Sequence, residues 1–333
     1  MANTTICLAV AGLAHGHGIG FLREAVSSGR ACAAGFFDPD NPSQAETAAE
    51  EFGAPVYGGF DEMLDKSGAD AVLTAAVNAK KAPLIIRTLE KGLGVIADKP
   101  LVTRIEDAEA IGALLERGCG RLCLMLTERC NPVLVTAKKI IDSGEIGEPV
   151  NIIAMRPHRL KPAGRPAWMF DSALYGGILN DLAVHDIDIV HWLSGSSTDA
   201  ILASETSNRR FREYPDFEDN GQIMLRMKNG CTAFILVSWL TPERYAHHGE
   251  MKFIVHGTQG QICADPQNGK VTLYSDRLAE HEAEIVTPRV TFAADALNAM
   301  TDPSYVPVIS GVEALQAQKT ALLCQKAARR DRS

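Results

Sequence analysis

The feature that most constrains this chain is a rhythm in its first 127 residues, where short apolar runs alternate with stretches of helical periodicity. Residues 6–11, 31–37, 70–77, 94–98 and 121–126 read as strands. Residues 19–28, 46–52, 60–66, 82–91 and 105–117 read as helices, and Gly92 stops the fourth of them. Strands that alternate with helices pair in parallel through β-α-β crossovers. Strands that are apolar throughout, not at every second position, belong to a sheet covered on both faces. The expected fold of residues 1–127 is therefore an α/β, doubly wound parallel sheet.

The pattern then changes. Residues 132–143 read as a helix stopped by Gly144, and 178–193 as one long amphipathic helix. Strands follow at 220–227, 231–240, 250–256 and 271–274, with Lys228-Asn229-Gly230 as a hairpin turn. A helix at 311–329 closes the chain. Successive strands joined by short turns predict an antiparallel sheet, and residues 128–333 form the second expected domain. A length of 333 residues fits this division, because single cores stop growing beyond roughly 250–300 residues. The formal charge of −8 argues against a general nucleic-acid binder. No apolar run reaches the ~18 residues of a membrane span, and the N-terminus lacks the pattern of a secretory leader. The expected location is the cytoplasm. The eight cysteines include no CxxC pair and are expected to be buried or inert thiols.

The turn after the first strand reads Gly12-Leu13-Ala14-His15-Gly16-His17-Gly18. A strand, a glycine-rich turn and a helix together suit a pyrophosphate: helix N–H groups attract the anion, and glycine lets the backbone come close. Gly12 stands where the first glycine of G-x-G-x-x-G belongs. Ala14 and His17 replace the second and third, so Gly12, Ala14, His15, Gly16 and His17 are candidate contacts to a dinucleotide through a degenerate fingerprint. Asp38 ends the second strand, where a carboxylate can accept hydrogen bonds from ribose hydroxyls and repel a 2′-phosphate. No Lys or Arg occurs between residues 31 and 65. NAD(H) is expected in preference to NADP(H).

Two further segments carry chemistry. Asp98-Lys99-Pro100 places a lysine at the carboxyl end of a strand, where open α/β sheets bind their ligands. In Gly176-Gly177-Ile178-Leu179-Asn180-Asp181-Leu182-Ala183-Val184-His185-Asp186-Ile187-Asp188, Asp181 and His185 are four apart and share a helix face. Asp188 and His191 add possible ligand atoms, but His191 turns away at helical spacing, and no metal is expected.

These elements resemble the Gfo/Idh/MocA family of nicotinamide oxidoreductases. Asp98-Lys99-Pro100 is similar to the family's E-K-P. Gly176-Gly177, Asp181, His185, Asp188, Trp192-Leu193 and Gly195 follow its long helix motif. Arg129-Cys130-Asn131-Pro132 matches its R-x-N-P, and Gly144-Glu145-Ile146-Gly147 its G-x-I-G. The resemblance implies a Rossmann-type first domain, a second α+β domain with a large, mainly antiparallel open sheet, and a homodimer or homotetramer. It implies a sugar, cyclitol or related polyol as substrate, and Lys99, Asp181 and His185 as the catalytic group. His185 is then the base, with a pKa suited to the task. Lys99 stabilises charge on the reacting oxygen, and Asp181 orients the imidazole or binds a substrate hydroxyl. Arg129, His158, Arg165, Trp168 and Tyr175 are candidate substrate contacts. The family's T-P-N-x-x-H reads Ala76-Val77-Asn78-Ala79-Lys80-Lys81 here, leaving Asn78 to line the nicotinamide side. Two other activities share these residues: a dinucleotide-binding sensor without catalysis, and a lyase or glycosidase that uses bound NAD as a transient oxidant.

Overall fold

The computed structural model describes residues 5–330, with side chains described as far as Ala328. The leader reading at residues 1–4 and the end of the second expected domain lie outside the described residues. The first of two compact units takes the chain through Leu126 and also Val290–Leu315; the second takes Thr127–Arg289 and the chain from Gln316.

In the first unit, β1 (Ile6–Ala11), β2 (Ala31–Phe37), β3 (Ala71–Thr74), β4 (Gly94–Ala97) and β5 (Arg121–Leu124) form one parallel sheet in the order β2-β1-β3-β4-β5. The crossovers carry α1 (Gly16–Ser27), α2 (Pro42–Phe52), α3 (Phe60–Lys66), α4 (Lys81–Glu90) and α5 (Ile105–Glu116). Alternate residues of β1 serve opposite faces. Leu8 and Val10 join a cluster with Phe21 and Leu22 of α1 and Ala45, Ala48 and Ala49 of α2; Ala9 and Ala11 join another with Met63 and Leu64 of α3. With both faces filled, the strands are apolar apart from Thr74 and Arg121 at strand ends, which explains the continuous runs in the sequence. Outside β2, Phe36 bridges to Val56 in parallel, a one-residue stub of a sixth strand. With that stub counted, the order is the one found in dinucleotide-binding α/β domains, whose ligands sit at the carboxyl edge where the order reverses. The strand ends are level there: Ala11 lies opposite Phe37 and Thr74, and Thr74 opposite Ala97.

The second unit contains α6 (Pro132–Asp142), β6 (Pro149–Pro157), α7 (Ser172–Tyr175) and α8 (Val184–Ser194). It continues through β7 (Thr198–Ser207), β8 (Asn220–Met227), β9 (Thr232–Ser238), β10 (Lys252–Gly257), β11 (Gly260–Asp265), β12 (Lys270–Ser275) and β13 (His281–Glu282). These eight strands form one sheet in the order β13-β12-β11-β10-β6-β9-β8-β7. All its pairs are antiparallel except β6 with β9. One face of the sheet is core, with Ile223, Leu225, Ile235 and Val237 buried. The other face is open and carries exposed Leu202, Met224 and Phe234, of which Met224 and Phe234 are direct cross-strand partners. The chain then forms α9 (Phe292–Thr301) and α10 (Gly311–Arg330).

The structure departs from the sequence expectation in three places. The segment 290–315, given to the second domain by the sequence, packs in the first unit, where Ala293, Ala296, Leu297 and Ala299 of α9 join the cluster around Leu8 and Val10. The strands β6, β7, β11 and β13 and the helices α7 and α9 were not expected. Finally, the helix expected over 178–193 opens with a π-helical turn, Leu179–Ala183, before α8 begins. Among the described residues, no helix is long and apolar enough to cross a membrane.

Candidate active site

The glycine turn of the first unit is built from backbone. Gly12 has φ +81°, and a Cβ there would overlap the Ala76 Cβ and sit 2.6 Å from its Cα. Its N–H donates to the Phe37 carbonyl at 2.8 Å, and the His15 N–H donates to the Ala75 carbonyl at 3.1 Å. Ala14 follows Leu13 in this turn. His15, in extended conformation, is the N-cap of α1, which starts at Gly16 with no acidic residue in its first turn. Such a helix start suits an anion. The third glycine of the fingerprint serves close helix–strand packing. That task falls on Gly18, one residue later than the pattern predicts: a Cβ on Gly18 would lie 2.7 Å from the Ala75 Cβ. His17 is left to face outward, its side chain 59% exposed. Glycine at residue 18 was visible in the sequence, but the fixed spacing of the motif hid its role.

Asp38 is buried at the end of β2. Its Oδ2 accepts from the Leu13 N–H at 2.7 Å, and its Oδ1 from the N–H groups of Asp40 and Asn41 at 3.1 Å each. The carboxylate is thus oriented by the glycine turn itself. Close by in sequence, Asp40 receives Lys80 Nζ at 2.5 Å. This cation comes from the loop after β3, so a search of residues 31–65 could not find it. Asn78 is fully buried in the short 3-10 turn Asn78–Lys80.

At the end of β4, Asp98 is buried, and its carboxylate meets His17 Nδ1 at 3.1 and 3.2 Å. Burial alone would push the Asp98 carboxyl up. The His17 hydrogen bond and the positive charges of Lys81, His17 and His15 outweigh it and hold the group well below the usual carboxylate range. Lys81 is fully buried and donates Nζ to the Asp98 backbone carbonyl at 2.9 Å. It occupies the position of the histidine in the family's T-P-N-x-x-H, so the loss of that histidine brings a buried cation in its place. Lys99 follows Asp98 and is 8% exposed.

In the second unit, Gly176 closes α7 with φ +89°, and Gly177 follows with φ +100°. A Cβ on Gly177 would lie 2.7 Å from Gln325 Nε2 and overlap the rest of that amide, so α10 packs directly on the glycine. Gln325 Oε1 accepts the Leu179 N–H at 2.9 Å, Glu218 Oε2 accepts the Ile178 N–H at 3.2 Å, and the Gln325 amide donates back to Glu218. Side chains therefore satisfy the first N–H groups of the π turn, a widened helical turn often found at functional sites. Asp181 is buried inside that turn, and His185, half-buried, is the second residue of α8.

A buried chain of hydrogen bonds leads to Asp181. Tyr175 donates its hydroxyl to Asp181 Oδ2 at 2.8 Å and accepts from Trp239 Nε1 at 3.2 Å. Burial, and then the charge of Asp181, push the Tyr175 phenol well above its usual range, which keeps it a neutral donor. Trp239 follows β9 and was not singled out in the sequence. Its ring lies 4.9 Å beneath the Arg165 guanidinium and 5.8 Å from the His158 ring, edge to face. His158 also meets the His248 ring at 4.9 Å. Trp239 thus joins Tyr175, Arg165 and His158 in one cluster, which reaches Asp181 through Tyr175, a grouping that only the fold reveals.

Arg129 is placed differently. It is buried and grips Asp188 with both arms, Nε to Oδ2 at 3.1 Å and Nη2 to Oδ1 at 2.7 Å. This pair ties the short turn Thr127–Cys130 to α8 and gives Arg129 a structural partner. Beside it, buried Arg156 of β6 bonds Asp186 and Glu128. Trp168 stands half-buried in the 3-10 turn Ala167–Phe170.

Comparison with known proteins agrees with both units. The description "Oxidoreductase family, NAD-binding Rossmann fold" matches residues 9–124, and "GFO/IDH/MocA C-terminal domain" matches residues 134–263. Inositol 2-dehydrogenase 2 of Saccharopolyspora erythraea is 29% identical over 269 residues, covering 80% of this chain and 75% of its own. The scyllo-inositol 2-dehydrogenase (NAD(+)) of Bacillus subtilis is 27% identical over 222 residues, covering 66% of this chain and 62% of its own. A levoglucosan dehydrogenase solved with NADH and levoglucosan shares the fold at TM-score 0.80 and 19% identity, over 98% of both chains. With its Rossmann-type parallel sheet and its large, mostly antiparallel second sheet, this chain belongs to the Gfo/Idh/MocA family of oxidoreductases.

Proposed function

We propose that this chain is an NAD(H)-dependent dehydrogenase that exchanges hydride with a secondary alcohol or ketone of a sugar, cyclitol or related polyol. The observation that carries the reading furthest is the buried Trp239–Tyr175–Asp181 chain, which fixes a carboxylate one helical turn before His185. A protein that only senses a dinucleotide has no use for such an acid–base pair. The relatives named for inositol point to the same substrate class.

The first unit fits the cofactor. Gly12 lets the turn take a positive φ and pack against Ala76 where a Cβ would collide, α1 begins just beyond it with N–H groups that suit a pyrophosphate, and Asp38 is already oriented at the end of β2. NAD supplies the hydride acceptor. The remaining steps belong to the chain. His185 takes the hydroxyl proton as the alcohol is oxidised and returns it in the reverse direction. Asp181, held by Tyr175, orients the imidazole or binds a neighbouring hydroxyl. Lys99 donates a hydrogen bond to the reacting oxygen and stabilises negative charge there.

Asp38 favours NAD(H) over NADP(H), because a 2′-phosphate would meet its carboxylate; Lys80 is engaged by Asp40 and offers that phosphate only a shared cation. Titration of nicotinamide fluorescence in nucleotide-stripped protein tests this. NADH should saturate the site at least about tenfold more tightly than NADPH, as expected when one hydrogen bond to a charged group is made or broken. Asp38→Ala should weaken NADH and narrow the ratio. Equal affinities in the unmodified protein would remove Asp38 from the site.

A further inference from the structure

His15 and His17 lie two residues apart across the start of α1, with rings nearly parallel at 9° and centroids 5.7 Å apart. Asp98 reaches the same place from the end of β4. One ligand atom from each of the three lies within 4.8 Å of the others. We propose that His15, His17 and Asp98 form a binding site for a divalent transition-metal ion of the zinc class at the N-terminal end of α1.

The distances support an ion of that size. Two ligands at about 2.0–2.2 Å on a tetrahedral zinc stand roughly 3.3 Å apart. His17 Nδ1 and the Asp98 oxygens are already 3.1 and 3.2 Å apart. Closing the His15 arm from the 4.8 Å limit takes a shift of about 1.5 Å toward that spacing. His15 precedes the helix in extended backbone with its Nε2 buried, and His17 is largely exposed, so the His17 ring is the one with room to adjust. A metal bound at His17 Nδ1 takes the place of the hydrogen there, and the neutral ring carries its N–H at Nε2 instead. Two imidazoles and one carboxylate favour zinc, cobalt or nickel over magnesium or calcium. Three protein ligands leave a fourth position open to water. Lys81 stands against the backbone carbonyl of Asp98 and repels a second cation, so the site is a reversible one and not a permanent structural centre.

The site coincides with the end of α1 proposed above to seat the dinucleotide phosphates. Bound metal therefore changes NADH affinity; this second consequence alone rests on the nucleotide reading.

Calorimetric titration of the chelator-treated full chain with zinc chloride tests the proposal. One equivalent should bind, magnesium chloride should give no comparable isotherm, and His17→Ala should weaken zinc at least tenfold, the lower end of losses in metal affinity on removing supporting groups. Because His17 is exposed, that variant should keep the fold. Cobalt in place of zinc should show d–d absorption without a thiolate charge-transfer band, which separates this site from the eight cysteines. Absence of binding, equal binding by His17→Ala, or a thiolate band would each overturn the proposal. NADH that fails to bind metal-free protein would strike the nucleotide reading, while the zinc isotherm and its loss in His17→Ala would stand.

Discussion

The two units build their candidate sites from different material. In the first, the candidate nucleotide seat is backbone: the turn at Gly12, the start of α1, and a carboxylate, Asp38, that is itself held by backbone N–H groups. In the second, Asp181 is held by the Tyr175 side chain, with Trp239 behind it, and the turn that carries it is closed by Gln325 and Glu218. A backbone-built site tolerates changes of side chain and fails when a Cβ intrudes. A side-chain-built site tolerates little change in its donors and acceptors. The largest expected effect separates chemistry from nucleotide affinity. His185→Ala and Lys99→Ala should each lower turnover on the best polyol of a substrate screen by about 10²–10⁴-fold, the usual contribution of a positioned acid–base group. NADH affinity should stay within a few-fold, measured by fluorescence. Unchanged turnover in both variants would end the proposed catalytic assignment.

The backbone half breaks with one methyl group. At residue 12 a Cβ meets Ala76 with no room to move, and φ is positive. At residue 16, in the same turn, there is nothing within 4 Å. Overpacking costs about 1–3 kcal/mol and left-handed backbone about 1–2 kcal/mol more. Gly12→Ala should therefore lose about 3 kcal/mol in denaturant unfolding and bind NADH poorly, while Gly16→Ala should be near neutral in stability. Equal stabilities for the two would show that the turn adapts, and the contrast between the units would lose its first term.

The same contrast explains what was legible in the sequence. The parallel sheet announced itself because Leu8, Ala9, Val10 and Ala11 are all buried, so no polar residue interrupts the run. In the second sheet only alternate residues face the core, and the signal thins accordingly. In β7, a single residue, Thr206, is buried, leaving no apolar pattern to read. In β6, a core position is Arg156, whose charge disguises a strand and whose partners, Glu128 and Asp186, lie far away in sequence. The motif residues Asp98-Lys99 and Asp181 with His185 stood out because they cluster along the chain. Lys81 at Asp98, Trp239 at Tyr175 and α9 in the first core did not, since each depends on contacts that only folding creates. The widened turn around Asp181 escaped for the same reason: the N–H groups that open it are met by Gln325, on α10, and by Glu218.

A smaller effect probes the side-chain half directly. Tyr175→Phe removes the donor to Asp181 and the acceptor of Trp239 Nε1 while keeping the ring. A hydrogen bond to a charged group is worth about 1.5–3 kcal/mol, so turnover should fall about tenfold at least. NADH affinity should not move, and the acid limb of the turnover–pH profile should shift as Asp181 loses a bond that favours its charged form. A loss confined to stability, with an unmoved pH profile, would make Tyr175 a packing residue.

The units should also differ in their response to acid. In the first, Asp98 is held below its ordinary range, so its contribution is complete above an unfolded pKa near 4 and is lost only below it. In the second, His191 is pushed down to about 4, first by burial and then by the charge of Arg129. Its Nε2 accepts the Thr198 N–H and lies 2.8 Å from Thr198 Oγ1, so the neutral ring is the one that fits. The unfolded chain binds a proton at His191 below about 6.5 while the folded chain does not until about 4, so this contribution is complete above 6.5 and is lost as the pH falls through that window. The full cost is about 3 kcal/mol at about 1.4 kcal/mol per tenfold change in proton affinity. Asp186 works in the opposite direction. Burial lifts its carboxyl to about 6 against the pull of Arg156, so its proton stabilises the fold on acidification between about 4 and 6. The unmodified protein therefore shows only the difference of the two, and His191→Gln isolates one of them. Relative to the unmodified protein, His191→Gln should gain stability steadily as the pH is lowered from 6.5 to 4, read from denaturant midpoints at each pH. A stability difference between the two that stays constant across this window would mean that His191 titrates alike in the folded and unfolded chain, and the acid response would no longer distinguish the units.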